Sequence, residues 1–416
     1  MILNFSLGNF RSFHEIQTID FRATGLVSED KEVDNNNITM VADSPVLKTV
    51  GVYGPNGSGK TNLIKGLEFF KSMVKNSLGS EGLLKDKFSP FVLSSDVQNN
   101  KGYFQINMLI DKKKYRYGFT LKNQNGIAEE WLFGPADKNE TFYFKRHGQK
   151  IEFNKERFSE GDSLPLEKLR QDTLFLTFVS SYNGETSNKI REFISNKAIF
   201  ENENLIISQY RVFNDDYNLT NLLIKSGNKS TILKWLQNAG LFFEDVRIAN
   251  TGEGSPFSLV MLSKKVFNSK GEVTGTYELW IDENESSGTR KFYSYIGQLH
   301  KLFTEGGILV VDEIDSNFHP SLLLKLISFF NNPELNKANA QLLFTSHDTN
   351  LLDPNVLRRD QIYFTEKSLQ EATILYSLAD LKGIRNNADF ARQYLAGLYG
   401  ALPVLGDYVT AEKTPA

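Results

Sequence analysis

The chain has 416 residues, 40% of them hydrophobic and 23% charged, with a formal net charge of −3. That length can bury a core without staples, and the near-neutral balance excludes a chain that binds nucleic acid or membrane through bulk positive charge. There is no cysteine, which excludes a disulfide framework and a thiolate metal site and fits a reducing cytosol. The five histidines, His14, His147, His300, His319 and His347, do not cluster at ligand spacing, so a zinc site is not expected. The opening "MILNFSLGNFRSF" lacks a basic stretch followed by an apolar one, so no signal peptide is expected. No run approaches the ~18 apolar residues of a membrane span. The expectation is a cytoplasmic protein with no membrane partner.

The first elements read as β. "ILNFSLGNFRSF" and "EIQTIDFRA" are short apolar runs suited to a hairpin, and "SEDKEVDNNN" reads as loop. "SPVLKTVGVYG" reads as a buried strand ending at Gly54, followed by a helix, "TNLIKGLEFFKSMV", with Leu63, Leu67, Phe70 and Val74 on one face. From Phe104 to Phe153, alternating runs separated by turns such as "NQNG" and "HGQK" predict an antiparallel sheet. After Asn154 the pattern turns mostly helical, in "PLEKLRQDTLFLTFVSSY", "NKIREFISNKAIFE" and "STILKWLQNAG". Sheet signals return at "FSLVMLSKKVF" and "TGTYELWID". Then strand and helix alternate: "GGILVVDEID" as strand, "PSLLLKLISFFNN" as helix with Pro320 near its start, and "AQLLFTSHD" as strand. "QIYFTEK" and "ATILYSLADL" read as edge strands or turns. There is no internal repeat, and no sustained heptad that would build a coiled-coil arm.

The strongest motif is Gly54-Pro55-Asn56-Gly57-Ser58-Gly59-Lys60-Thr61, with Asn62 next, which satisfies G-x-x-x-x-G-K-[ST]. Glycines let the backbone bend so that successive N–H groups face a phosphate, and the following helix points its positive end at the anion. Lys60 can reach the outer phosphates and the Thr61 hydroxyl can hold Mg²⁺. The implied cofactors are ATP and Mg²⁺. "ILVVDEID" delivers two carboxylates at the end of a buried strand. Asp312 would hold the Mg²⁺ through water, and Glu313 would orient or deprotonate the attacking water. "LLFTSHD" ends a second buried strand in Thr345-Ser346-His347; His347 either contacts the γ-phosphate or is a surface histidine at a strand end. In "ENESSGTRKFYSYIGQLHKLF", Ser287 and Gly288 open a helix carrying Phe292, Tyr295, Ile296 and Leu299 on one face, either as an anion site or as a simple cap. "DKKKYRYGF" interleaves lysines with tyrosines but reads chiefly as a hairpin turn with solvated cations.

This order, a phosphate loop, a distant Ser-Gly helix start, "VVDE" and a strand ending in His, resembles the ABC-type ATPases, specifically the heads of the SMC and RecF-like group. The resemblance implies two heads packed head to tail, each ATP lying between the phosphate loop of one copy and Ser287 and Gly288 of the other. It also implies that Asp315 lies in a D-loop crossing that interface. "NFRSF" is similar to the family's first strand, where Arg11 would approach the nucleotide; the same residue reads equally as a surface cation. The signature here is "SSGTR" rather than "LSGGQ", which argues against a transporter motor, and the absence of N-K-x-D argues against a GTPase. The family's Q-loop glutamine has two positional candidates, Gln98 and Gln105. The C-terminal run "LRRDQIYFTEK" to "LAGLYGALPVL" looks like the RloA/AbiLi group of bacterial ATPases, which the ATPase of the PARIS anti-phage system also resembles.

The expected fold is α/β, an ABC-type phosphate-loop ATPase head with a mixed sheet, an antiparallel β lobe and an inserted, mainly helical subdomain. The expected divisions are 1–154, 155–245 and 246–416. The expected function is a nucleotide-driven dimerisation switch regulating a bacterial anti-phage defence system. Its partners would be a second copy of itself and a separate nuclease of Toprim type. The alternatives are a RecF-like DNA-repair ATPase that binds DNA directly and a scaffold stabilised by ATP with little turnover.

Overall fold

The computed structural model describes residues 1–80, 82–94, 101–122, 126–136, 139–200, 219–250 and 258–403. The chain opens with β1 (Ile2–Gly8) and β2 (Gln17–Asp20), the expected hairpin. The polar stretch read as loop instead contains α1 (Lys31–Asn37). The reason is local: the Asp30 side chain accepts the Glu32 N–H as N-cap, and Glu32 and Asp34 place negative charge at the positive end of the helix. A short strand, β3 (Ile38–Val41), comes next, and the single strand expected before the phosphate loop is two short ones, β4 (Ser44–Leu47) and β5 (Thr49–Tyr53). β4 pairs with β3 as a hairpin, while β5 joins a different sheet, so the chain changes sheets at Lys48. α2 (Lys60–Asn76) follows, then the short α3 (Leu83–Lys87).

The antiparallel region is as expected: β6 (Gly102–Ile110), β7 (Lys113–Leu121), β8 (Ile127–Pro135), β9 (Glu140–His147) and β10 (Lys150–Phe153). With the N-terminal hairpin they form one sheet in the order β10-β9-β8-β7-β6-β1-β2. Phe104, Ile106 and Met108 point inward from β6 while Tyr103, Gln105 and Asn107 are half-exposed, the alternation of a sheet with one covered face. The cover is α2, whose Leu63, Leu67, Phe70 and Val74 are all buried. Phe70 stacks on Phe119 with ring centroids 5.5 Å apart and planes within 1°. Each such side chain contributes about 1.5–3 kcal/mol by leaving water.

The helical stretch contributes α4 (Phe175–Ser181) and α5 (Glu185–Lys197), which join the same core as α2. "NKAIF", read as the end of a helix, finishes as β11 (Ala198–Phe200), parallel to the strand that carries the carboxylates. A three-residue strand has no period of its own, so only its neighbour in the sheet defines it. α6 (Leu219–Lys225) and α7 (Lys229–Asn238) lead to a small antiparallel sheet of β12 (Asp245–Asn250), β13 (Ser258–Phe267) and β14 (Val273–Trp280). The one-turn α8 (Ile281–Asn284) precedes α9 (Ser287–Glu305), whose Phe292, Tyr295, Ile296 and Leu299 are buried. The rest alternates as expected: β15 (Ile308–Val311), α10 (Pro320–Asn331) with Pro320 in its first turn, and β16 (Gln341–Thr345). β17 (Ile362–Lys367), β18 (Thr373–Ser377) and α11 (Phe390–Leu395) close the described chain.

The site-bearing sheet runs β11-β15-β16-β5-β17-β18, parallel except for β18. β5, β15 and β16 are buried along their whole length, which is why "TVGVY", "ILVV" and "QLLFT" show no polar alternation. β17 is internal rather than an edge, since it pairs with β5 as well as β18. The fully buried Gln341 ties the two large sheets together. Its Oε1 accepts the Ile2 N–H at 2.7 Å, and its Nε2 donates to the carbonyls of Ile2 at 2.9 Å and Leu47 at 3.2 Å. The strand order puts β16 between the strand that feeds the phosphate loop and the strand that feeds the carboxylates. Their C-terminal ends lie side by side, where ligands of open α/β sheets bind.

Candidate functional site

The phosphate loop leaves β5 at Tyr53 and returns as α2 at Lys60. Gly54 and Gly59 have φ of 149° and 116°. A Cβ on Gly54 would stand 2.3 Å from the Thr365 carbonyl oxygen, and one on Gly59 2.1 Å from Thr373 Oγ1 at the start of the next strand, β18. Both conformation and space therefore demand glycine. The loop rests on the strands beyond β5. Ser58 Oγ and Thr365 Oγ1 are 2.6 Å apart, and the Thr373 hydroxyl lies 2.8 Å from both the Ser58 carbonyl and the Ser12 hydroxyl. Asn62 Nδ2 donates to the same Ser12 Oγ at 2.8 Å. Pro55 is half-buried, and Asn56 and Gly57, with φ of 77° at the glycine, face solvent at the loop crest.

No side chain caps α2, and no acidic residue lies in its first turn. Its first N–H groups and the positive end of its dipole are therefore directed at the loop. The buried Lys60 ammonium donates to the carbonyls of Gly54 at 2.8 Å and Pro55 at 3.1 Å. Burial lowers its pKa, and the charges of Asp312, Glu313 and Asp315 oppose that shift. The phosphate loop and the carboxylate strand are thus brought to one place. An uncapped helix end, a glycine-shaped cradle and a cation are the donor set a nucleotide triphosphate requires, so the residues fit that ligand. Thr61, half-exposed in the first turn, and Asp312, half-buried, are the oxygen donors that fit Mg²⁺. Among the described residues no cluster of three or more His, Cys, Asp or Glu suits a metal by itself.

Asp312 and Glu313 follow β15. Asp312 Oδ1 accepts the Thr345 hydroxyl at 2.6 Å, and the Glu313 N–H donates back to Thr345 Oγ1 at 2.7 Å. Glu313 adopts φ of 51°, a left-handed conformation costing roughly 1–2 kcal/mol in a residue with a Cβ. Its side chain is exposed. The Ile314 N–H donates to the Thr345 carbonyl at 3.0 Å, and the His347 N–H to Asp315 Oδ1 at 3.3 Å, so the chain beyond the carboxylates is stitched to the end of β16. The His347 ring is exposed.

The opening of α9 lies elsewhere. Ser286, not Ser287, is its N-cap, accepting the Thr289 N–H at 3.1 Å. Ser287 is exposed in the first turn, and Gly288 is half-buried against the Asn317 carbonyl. Arg290 donates to the Asp282 carbonyl at 2.9 Å, and Lys291 Nζ to Ser316 O and Oγ at 3.0 and 2.9 Å. This segment joins the loop containing Asp315, not the phosphate loop. Arg11 is exposed, with φ of 52° and its N–H donating to Ser89 O at 2.7 Å; it precedes Ser12, the brace of Asn62. Gln98 lies outside the described residues, and Gln105 accepts from Trp131 Nε1 on the outer face of the antiparallel sheet.

Sequence reasoning missed the threonines. Thr345 ends β16, Thr365 lies within β17 and Thr373 begins β18, and only the strand order reveals what they touch. It also missed Tyr53, fully buried just before the loop, whose hydroxyl has no hydrogen-bond partner among the described residues. Burial pushes its pKa up, aided by Asp348 and Asp315.

Residues 50–353 match a family described as AAA domain, putative AbiEii toxin, Type IV TA system. Among solved structures, the chain is similar to the SMC head domain from Thermotoga maritima, with 11% identity over 90% of this chain and 98% of that one, at a TM-score of 0.42. It is similar to an SMC head bound to the C-winged helix domain of ScpA, with 10% identity over 90% and 97% of the two chains and a TM-score of 0.41. It is also similar to an SMC head with an extended coiled coil bound to the C-terminal domain of ScpA, derived from Pyrococcus furiosus. There the identity is 10% over 95% and 99% of the chains, and the TM-score is 0.38. No curated protein matches the chain. No helix among the described residues is long and apolar enough to cross a membrane.

Proposed function

We propose a function from one premise: the chain belongs to the family of AAA domains described as putative AbiEii toxin, Type IV TA system. It binds ATP and hydrolyses it, and it uses the nucleotide to join and release two copies of itself. The observation that carries this reading is the cradle from Gly54 to Thr61: a glycine-shaped loop, an uncapped helix start and a buried lysine within the field of three carboxylates.

Lys60 and the loop N–H groups would hold the β- and γ-phosphates, with Asn62 bracing the first turn through Ser12. Thr61 and Asp312 would hold Mg²⁺, which when bound neutralises charge on the phosphate oxygens. Glu313 orients the water that attacks the γ-phosphorus and takes its proton as the bond to the β–γ bridging oxygen breaks. His347, at the end of β16, would contact the γ-phosphate or that water. Most of the rate enhancement comes from such placement.

Ser287 and Gly288 serve the site of a second copy. In their own chain they face the loop of Asp315 through Asn317, and Ser287 is exposed. Head-to-tail pairing would bring them to the partner's γ-phosphate, with Asp315 at the interface and Arg11 at its margin. In the cell the pairing regulates an anti-phage response whose effector is a separate nuclease; the family description, which names a putative toxin of a Type IV TA system, supports a role in such growth-arresting defence.

The test is turnover by the purified chain, with Lys60→Ala and Glu313→Gln alongside. Lys60→Ala is expected to lose nucleotide binding. Glu313→Gln is expected to bind Mg-ATP, lose at least 100-fold in kcat and accumulate as a dimer in light scattering. A Glu313→Gln variant that stays monomeric at saturating Mg-ATP sinks the pairing. Wild-type binding without turnover marks an ATP-stabilised scaffold, and ATP-dependent, salt-sensitive DNA binding by the chain alone marks a RecF-like protein.

A further inference from the structure

We propose that Thr345 is a positioning residue whose single hydroxyl sets both carboxylates of the site, Asp312 and Glu313, so that metal binding and water activation depend on one group. The inference rests on the reading of the chain as a Mg²⁺-dependent ATPase. Thr345 is the last residue of β16 and has 0% exposure. β16 runs between β15 and β5, so this residue stands between the carboxylates and the phosphate loop. Its hydroxyl donates to Asp312 Oδ1 at 2.6 Å and accepts the Glu313 N–H at 2.7 Å. A hydroxyl has one proton, so the directions are fixed: the proton goes to the carboxylate and a lone pair receives the amide.

Two consequences follow. Asp312 is held in one orientation by a bond to Oδ1. Glu313 is held in its left-handed conformation, φ 51°, by a bond to its own N–H, and the Ile314 N–H is held by the Thr345 carbonyl at 3.0 Å. Without these bonds Glu313, two residues beyond β15, would relax toward extended backbone and its side chain would point elsewhere. Valine at 345 keeps the shape and the carbonyl but removes both hydroxyl bonds. Serine keeps the hydroxyl.

The experiment compares the full-length wild type with Thr345→Val and Thr345→Ser in two assays. Mn²⁺ binding is followed by electron paramagnetic resonance with a non-hydrolysable ATP analogue, and Mg-ATP turnover is measured separately. Nucleotide affinity in EDTA is the control. Thr345→Val is expected to weaken Mn²⁺ at least fivefold and lower kcat at least 30-fold, with the EDTA affinity within twofold of wild type. Thr345→Ser is expected within threefold of wild type in both assays. A valine variant that binds Mn²⁺ and turns over like wild type overturns the proposal. So does a serine variant as impaired as the valine one, or a loss of nucleotide affinity in EDTA, since either would mean a packing role. Should Thr345→Val not fold, Thr345→Ala removes the hydroxyl without adding bulk and is read by the same outcomes. Wild type that fails to turn over sinks the ATPase reading, while the Mn²⁺ arm still decides the role of Thr345.

Discussion

Gly288 lies against the backbone carbonyl of Asn317: a Cβ built on Gly288 would be 2.8 Å from that oxygen. The contact joins the start of α9 to the loop that begins with Asp312 and Glu313, and Lys291 reinforces it through Ser316. Backbone cannot yield as the end of a flexible side chain can. Gly288→Ala is therefore expected to push the 315–318 loop aside. ATP affinity should stay within threefold of wild type, because the phosphate loop is untouched, while turnover falls at least tenfold. Stopped-flow binding and steady-state hydrolysis on the same preparation check this. Unchanged turnover would mean that the "SSGTR" stretch is a helix start and nothing more.

What could be read from the sequence and what could not divide along the range of the interactions. The glycine spacing from Gly54 to Gly59, and four apolar residues running into Asp312 and Glu313, are local patterns of a tight strand-to-helix turn and of a buried parallel strand. Both are where they were expected. The face of α9 and the alternation of β6 were equally legible, since burial on one side writes a period into the chain, whereas β1 is buried along its whole length and shows only an apolar run. β11 was not, because a three-residue strand is defined by β15 alone. α1 was hidden because its signal is a cap and first-turn charge rather than an apolar stripe. The braces of the phosphate loop were the least legible. Ser58 meets Thr365 across 307 residues, and Thr373 meets Ser12 across 361, contacts that only the strand order creates.

Those braces carry a prediction of their own. Ser58 and Thr365 share a buried 2.6 Å hydrogen bond, and Thr365 Oγ1 also lies 3.3 Å from the Tyr53 carbonyl at the entry to the loop. Thr365→Val preserves strand shape and removes the bond. A net loss of about 1 kcal/mol corresponds to an ATP affinity weakened about fivefold. Since the residue supports the ground-state cradle and touches neither carboxylate, kcat at saturating ATP should hold within twofold. Titration with a fluorescent ATP analogue, paired with saturation kinetics, separates the two quantities. A fall in kcat without a change in affinity would assign Thr365 to the reaction rather than to the cradle.

The stability of the lobe that carries α2 depends on a buried ion pair remote from the site. Glu130 and Arg146 are fully buried, with Arg146 Nη1 3.5 Å from Glu130 Oε2. Glu130 also accepts the N–H groups of Phe175 at 2.6 Å and Leu176 at 2.9 Å, and so closes the start of α4, where no local side chain serves as cap. Removing the acid strands a buried guanidinium and opens that helix end. Glu130→Ala is expected to cost about 3–5 kcal/mol in urea unfolding at neutral pH. Burial raises the pKa of Glu130 above the ordinary carboxylate value, against the opposing pull of Arg146 and the two amides. A raised acid binds more protons folded than unfolded between its two pKa values. Its contribution to stability is therefore greatest below the ordinary carboxylate range and falls as pH rises through the raised value. The cost of Glu130→Ala should accordingly be larger in mild acid than at neutral pH. A cost that instead grew with rising pH would mean that Glu130 is held below its ordinary value, with attraction to Arg146 outweighing burial.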